Sequence, residues 1–465
     1  MNMINVRRLA VMTFLGAGML SDISAQDFSL QADTLNEARL PAQWDLQSCI
    51  DYALEQNITI RKNRVTAEST QIDVKTAKAA LFPSLSFSTS QQVVNRPYQE
   101  TSSRVSGSEI ISSNSKTSYN GNYGLNASWT IYNGSKRLKT LKQERLNNQV
   151  AELDVATSEN MIKESIAQIY IQILYAAESV RVNENTLQVS IAQCDRGQEL
   201  LNAGSIAKSD FAQLEAQVST DRYQLVTAQA TLQDYKLQLK QLLELDGENE
   251  MNVYLPKLSD ENVLALLPAK KDVYVSALAI RPEIEASKLN IEASELGIDI
   301  AKSSYFPTIS LSAGIGTNHT SGSDFTFSEQ VKNGWNNSIG LSVSVPIFNN
   351  RQTKSAVQKA KLQRETDMLS LLDEQKALYK TIESLWLDAN SAQQRYAAAN
   401  EKLRSTQISY DLISEQFNLG MKNTVELLTE KNNLLQAQQE QLQAKYMAIL
   451  NTQLLKFYQG DKLTL

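Results

Sequence analysis

Apolar residues recur in alternating steps of three and four along two long stretches of the chain. Ile382, Leu385, Ala389, Ala392, Tyr396, Ala399, Leu403, Thr406, Tyr410, Ile413 and Phe417 keep this spacing without a slip. Ile166, Ile169, Ile173, Ala176, Val180, Asn183, Leu187, Ser190 and Cys194 hold the same register earlier on. A mean repeat of 3.5 is the seam of a coiled coil, in which a helix shows one narrow stripe to a partner. The spacing resumes in Phe211, Leu214, Val218, Asp221, Leu225, Ala228, Leu232, Tyr235, Leu239 and Leu242, which reads as the partner helix folding back. Breakers are missing where this needs them to be: no Pro lies between Pro97 and Pro256 or after Pro346, and Gly197 is the only Gly from 135 to 201. Segments 135–201 and 351–417 are each 67 residues, or about 100 Å of α-helix. The returning segments 208–245 and 422–459 are about half that length, as are the helices expected over 45–80 and 272–303. Two half-length helices placed end to end match one long one, so four parallel columns are expected.

Between each opening helix and long helix the period changes to two. Tyr119, Gly121, Tyr123, Leu125, Ala127, Trp129 and Ile131 alternate with Asn120, Asn122, Gly124, Asn126, Ser128 and Thr130. Trp335, Ile339, Leu341, Val343 and Val345 alternate with Asn and Ser in the same way, and Leu85, Phe87, Ile309, Leu311 and Ile315 mark two further strands. One apolar, aromatic face backed by a small polar one is the signature of strands with lipid outside and water inside. The connections 96–116 and 317–332 are rich in Ser, Thr, Asn and Gly and are expected as long exterior loops. Four strands fall short of the roughly eight of the smallest closed barrel, and an open edge cannot face hydrocarbon. Closure must come from other copies of the chain.

The plan occurs twice. Ala77-Lys78 with Phe82-Pro83 recurs as Ala301-Lys302 with Phe306-Pro307, and further on Gly124-Leu125 recurs as Gly340-Leu341 and Asn202/Gly204 as Asn418/Gly420. The expected division is a leader over 1–25, a segment over 26–44, a first repeat over 45–245, a linker over 246–271, a second repeat over 272–460 and a tail over 461–465. The first repeat holds strands near 83–95 and 118–132, a long helix over 135–201 and a return helix over 208–245. The second holds strands near 307–316 and 335–348, a long helix over 351–417 and a return helix over 422–459. The leader reads as a secretory signal, because Arg7 and Arg8 precede the apolar run Leu9 to Leu20 and a small-residue cut before Gln26.

Composition removes other readings. With 45 Lys and Arg against 51 Asp and Glu, the net charge of -6 gives no reason to expect a nucleic-acid partner. One histidine, His319, and two cysteines, Cys49 and Cys194, supply neither a multi-His metal site nor a disulfide framework. His319 reads as a solvated loop residue and both cysteines as free packing residues. No catalytic constellation and no cofactor site is expected.

Some segments are shared with a known group of proteins. Trp44-Asp45-Leu46, the run Cys49-Ile50-Asp51-Tyr52-Ala53-Leu54-Glu55-Gln56-Asn57, the two Phe-Pro pairs, Arg281-Pro282-Glu283-Ile284 and the turn glycines Gly204 and Gly420 carry the likeness. On these residues the chain resembles, over nearly its whole mature length, the TolC family of outer-membrane efflux proteins. The resemblance implies a mainly α fold with a membrane β-barrel: a homotrimer with a 12-stranded barrel set in outer-membrane lipid and a 12-column α-helical tunnel reaching into the periplasm. It implies passive conduction for an efflux pump or type I secretion system, with a periplasmic adaptor and an inner-membrane transporter as partners. The alternative is a structural coiled-coil protein of the envelope without a pore. By resemblance, Ser209, Asp210, Phe417, Lys422 and Glu426 form a gate, while Asn202, Gly204, Asn418 and Gly420 mark the turns where the adaptor docks; Lys422 lies one helical turn from Glu426 and is expected to bond across to the Ser209–Asp210 turn as well. Phe417 and Thr429 depart from the family pattern, standing where an aromatic hydroxyl and a second acid are expected.

Overall fold

The opening helix of each half is broken once, at the same place in the repeat. In the computed structural model, which describes residues 41–98, 102–106, 109–113, 116–246, 251–256, 263–323 and 325–464, α1 (Leu46–Gln56) stops at Asn57 and α2 (Ile58–Ala79) starts after it. Asn57 has extended backbone and its side chain accepts from the N–H groups of Thr59 and Ile60, capping α2. The same side chain donates to the Leu242 carbonyl at 3.0 Å. In the second half α5 (Lys270–Ile280) and α6 (Pro282–Ser303) part at Arg281, which is extended because Pro follows it. The continuous helices expected over 45–80 and 272–303 are therefore corrected to two pieces each. The leader expected over 1–25 and most of the segment 26–44 lie outside the described residues, as do parts of the linker 246–271.

Four strands form one antiparallel sheet in the order β1 (Ser84–Asn95), β4 (Thr117–Asn133), β5 (Thr308–Thr320), β6 (Asn336–Ser344). The register puts Phe87 opposite Leu125 and Leu125 opposite Ile315, and Trp129 opposite Leu311 and Leu311 opposite Leu341, on one face. The opposite face carries Ser88, Gly124, Gly316 and Asn336 in one row and Ser84, Ser128, Ser312 and Gly340 in another. The connections hold more order than their composition suggests. A hairpin, β2 (Ser102–Ser106) with β3 (Glu109–Ser113), occupies the first, and a capped helix, α7 (Phe327–Asn333), occupies the second. His319 is not a solvated loop residue: it lies in β5, stacked on Tyr123 at 5.9 Å and edge-on to Phe327 at 5.0 Å.

Each strand leads into or out of one helical column, so columns and strands share an order. Beside the sheet, α2 packs on α3 (Lys136–Asn202), α3 on α6, and α6 on α8 (Gln352–Asn418). Toward the other end α4 (Lys208–Leu242) packs on α3, α3 on α9 (Thr424–Gln459), and α9 on α8. The two halves superpose in numbering as well: α3 and α8 differ by 216 at both ends, and α1 and α5 by 224 at both ends. Before each long helix two successive residues have positive φ, Gly134-Ser135 and Asn350-Arg351. At Gly134 this is obligatory twice over, since a Cβ would meet the Ser303 carbonyl at 2.6 Å. Of the seam, Ile166, Ile173, Ala176, Leu187, Ile382, Ala389, Ala392, Tyr396 and Phe417 are buried. Cys49 is buried and Cys194 half-buried, and neither forms a disulfide. Among the described residues no helix is long and apolar enough to cross a membrane.

Residues 41–45 and 251–254 form a small unit of their own. Trp44 donates its N–H to the Asn252 carbonyl and accepts from Tyr254 N–H, both at 2.8 Å, in a parallel bridge.

The break at Arg281 is also a charged joint. Arg281, 6% exposed, bonds Glu164 of α3 at 2.8 Å and lies 3.6 Å over the ring of Tyr458 of α9. Burial pushes the Glu164 carboxyl upward, against the pull of the guanidinium. Arg281→Met strands that carboxylate, and the expected loss is about 3 kcal/mol, the low end for a broken buried pair because Glu164 keeps some water. A denaturant midpoint equal to the parent's would show that the joint does not depend on the pair.

Candidate functional site

The helical end away from the sheet is made of two short turns, α3 to α4 and α8 to α9. Each long helix ends in the same motif. Ser205 N–H bonds the Leu200 carbonyl at 2.8 Å and Gly204 N–H the Leu201 carbonyl at 2.9 Å; Met421 N–H bonds Gln416 and Gly420 N–H bonds Phe417, both at 2.9 Å. Gly204 and Gly420 take φ of +71° and +73°, the left-handed position that closes such a helix end. Asn202, Gly204, Asn418 and Gly420 are all exposed.

The return helices begin differently. Asn423 caps α9, accepting from Glu426 N–H at 2.9 Å while Glu426 accepts from Asn423 N–H at 3.2 Å. At the other turn Ala207 has no side-chain acceptor, and only Asp210 reaches back, to Ala207 N–H at 3.4 Å. Lys422 bonds Glu426 at 2.5 Å within its own turn. Within the chain the nearer carboxylate, one helical turn away, takes the ammonium. Ser209 is exposed and Asp210 half-buried. Thr429 turns its hydroxyl onto the Val425 carbonyl at 2.7 Å.

Behind the turns an apolar plug joins all four helices. Leu214, Phe417 and Leu427 are 2%, 3% and 0% exposed, with Leu200, Tyr410, Ile413 and Leu428 packed around them. Gly197 leaves room for Leu214, whose Cδ1 would lie 2.4 Å from a Cβ there. Gln193 of α3 donates to the Tyr410 hydroxyl of α8 at 2.8 Å, a cross-link absent from the apolar pattern.

Deeper in, three buried polar side chains meet. Lys431 of α9 donates to Asp221 of α4 and to Ser190 of α3, and Ser190 donates to Asp221. Lys431, Asp221 and Ser190 are 3%, 1% and 2% exposed. Gln217 adds a bond to the second Asp221 oxygen at 2.9 Å. Desolvation pulls the Lys431 ammonium below its ordinary pKa, and Asp221 opposes the shift. Ser190 and Asp221 are legible in the sequence as polar members of the seam. Lys431 is missed, because it comes from the other half.

Comparison with known proteins places this geometry. The family model for outer membrane efflux proteins matches residues 49–244 and 273–460. The outer membrane efflux protein BepC of Brucella suis biovar 1 (strain 1330) is 24% identical over 294 residues, 63% of this chain and 61% of its own length. The outer membrane protein TolC of Escherichia coli (strain K12) is 24% identical over 342 residues, 70% of this chain and 66% of its own. The chain thus spans just under two thirds of the length of both relatives. A crystal structure of CusC superposes with a TM-score of 0.76 at 19% identity, covering 90% of this chain and 93% of CusC, which shows the same fold.

Phe417→Ala should cost about 3 kcal/mol in the plug and speed proteolysis at the two turns; unchanged cleavage would mean that the turns hold without it. The Lys422 hydrogen bond and then the Asn423 N–H keep the Glu426 carboxyl below its ordinary pKa. The pair's contribution is complete above the ordinary glutamate value and is lost as pH falls through the lowered one. Lys422→Met removes the larger cause, so the acid midpoint for hydrogen exchange in the second turn should move to higher pH. An unmoved midpoint would assign the shift to Asn423 alone.

Proposed function

Because the chain belongs to the outer membrane efflux protein family, we propose that it is the outer-membrane exit duct of an efflux pump or type I secretion system. It conducts passively and catalyses nothing. Its strands sit in outer-membrane lipid and its helices extend into the periplasm, where an adaptor links them to an inner-membrane transporter. The observation that carries this reading is the shared order of strands and columns, with one apolar face, one face of Ser, Gly and Asn, and, among the described residues, both outer edges unpaired. A coiled-coil protein without a pore gives no reason for a sheet of that kind.

Three copies close the ring. In the order β1-β4-β5-β6 the outer strands run antiparallel, so β6 of one copy can pair with β1 of the next. The flanking helices offer matching stripes. Ile58, Val65 and Ile72, seven apart on α2, are 54%, 64% and 59% exposed; Leu362, Leu369, Leu372 and Tyr379 on α8 are exposed by 52% or more. Heptad stripes of this kind bury each other in a head-to-tail contact that closes by rotation. The repeat boundaries 45–245 and 272–460 then each supply half of every protomer's share of barrel and tunnel.

The turns form the gate. Ser209, Asp210, Phe417, Lys422 and Glu426 gather there, and three Glu426 carboxylates around one axis repel each other unless Lys422 compensates. Asn202, Gly204, Asn418 and Gly420 present the exposed backbone on which the adaptor docks.

Purified protein in a planar bilayer is expected to give stepwise conductance, and mass measurement in detergent three chains per particle. A particle of one chain, or protein that never conducts, would overturn the reading. Lys422→Glu turns each attraction into repulsion, so resting conductance should rise several-fold and cells should admit large antibiotics. Unchanged conductance would move the lock to the Phe417 plug.

A further inference from the structure

The Lys431–Asp221–Ser190 triad joins the two coiled pairs, α3 with α4 and α8 with α9, by charge. Within each pair the contact runs along the helices; between pairs, α9 meets α3 over a shorter stretch. Ser190 and Asp221 occupy seam positions of the α3–α4 pair, where a coiled coil normally places apolar side chains. Neither helix of that pair supplies the cation that Asp221 requires. Lys431 arrives from the other pair, and its side chain is as deeply buried as the two it bonds.

We propose that this triad is a separable latch that lets the two pairs part and close again in a single register, a role that rests on the duct reading. An apolar junction of the same depth resists opening, because parting it exposes hydrocarbon to water. A buried ion pair behaves differently. The attraction lost on parting is offset by rehydration of both charges, so a complete pair adds little net stability. A half-broken pair, by contrast, leaves a charge inside without its partner, so intermediate positions are disfavoured and the junction is either shut or open. Gln217 sharpens the geometry by holding the other Asp221 oxygen from the same helix, 2.9 Å away.

This gives two variants that move in opposite directions. Asp221→Leu with Lys431→Met fills the junction with apolar side chains of similar size, which close well and part badly. Lys431→Met alone leaves the Asp221 carboxylate buried and unpaired, which loosens the junction. In planar bilayers the open probability of the double variant should fall several-fold below that of the parent, and that of the single variant should rise several-fold above it. The double variant carries the test if the single one does not fold. A double variant that opens as often as the parent, or more often, overturns the latch while the parent's conductance leaves the duct reading standing. A parent that never conducts overturns both.

Discussion

A strand at the edge of a sheet carries a row of N–H and C=O groups that must find partners, and hydrocarbon offers none. In this chain β1 and β6 are both such edges, and one face of the sheet between them is apolar. On the reading proposed above, further copies of the chain meet that demand. The columns keep the order of the strands because each strand hands its position to a helix. The outermost helices carry exposed apolar stripes. The family to which the chain belongs gives this arrangement its place in the outer membrane.

The helical end obeys a different rule. Long coiled helices hold together by many small contacts along a seam, and such a seam has no natural place to open. Here the seam is interrupted by polar groups near the turns. Gln193 bonds Tyr410 across the pairs, Lys431 enters between α3 and α4, and Lys422 and Glu426 neutralise each other at the surface. Apolar packing at Phe417 lies between the surface pair and the buried one. Water-seeking and water-avoiding layers thus alternate over a few helical turns.

Much of this could be read in the residues. The 3.5 spacing marks both long helices, and the alternation of Leu125, Ala127 and Trp129 with Asn126, Ser128 and Thr130 marks a two-faced strand. The breaks at Asn57 and Arg281 were hidden because the apolar spacing runs through them, although Pro282 and the amide of Asn57 were visible local signals. The α7 helix hid inside a polar connection that nevertheless carries a Thr326–Glu329 capping box. Lys431 could not be placed, since the carboxylate that holds it belongs to the other repeat, and a seam read one helix at a time cannot show which chain segment supplies the counter-charge.

The matching lengths of the two long helices have a consequence for how such a chain can change. α3 and α8 each have 67 residues, and both begin at a pair of left-handed residues and end at a left-handed glycine. One residue inserted between those marks would turn all that follows by about 100° and lift it by about 1.5 Å. The stripe facing the neighbouring helix would then face water, and the two turns would no longer be level. The hairpin of the first half and the short helix of the second occupy equivalent positions and differ in both size and kind. Length variation is therefore admissible in those two connections and forbidden along the long helices, so tags and inserted epitopes belong in the former.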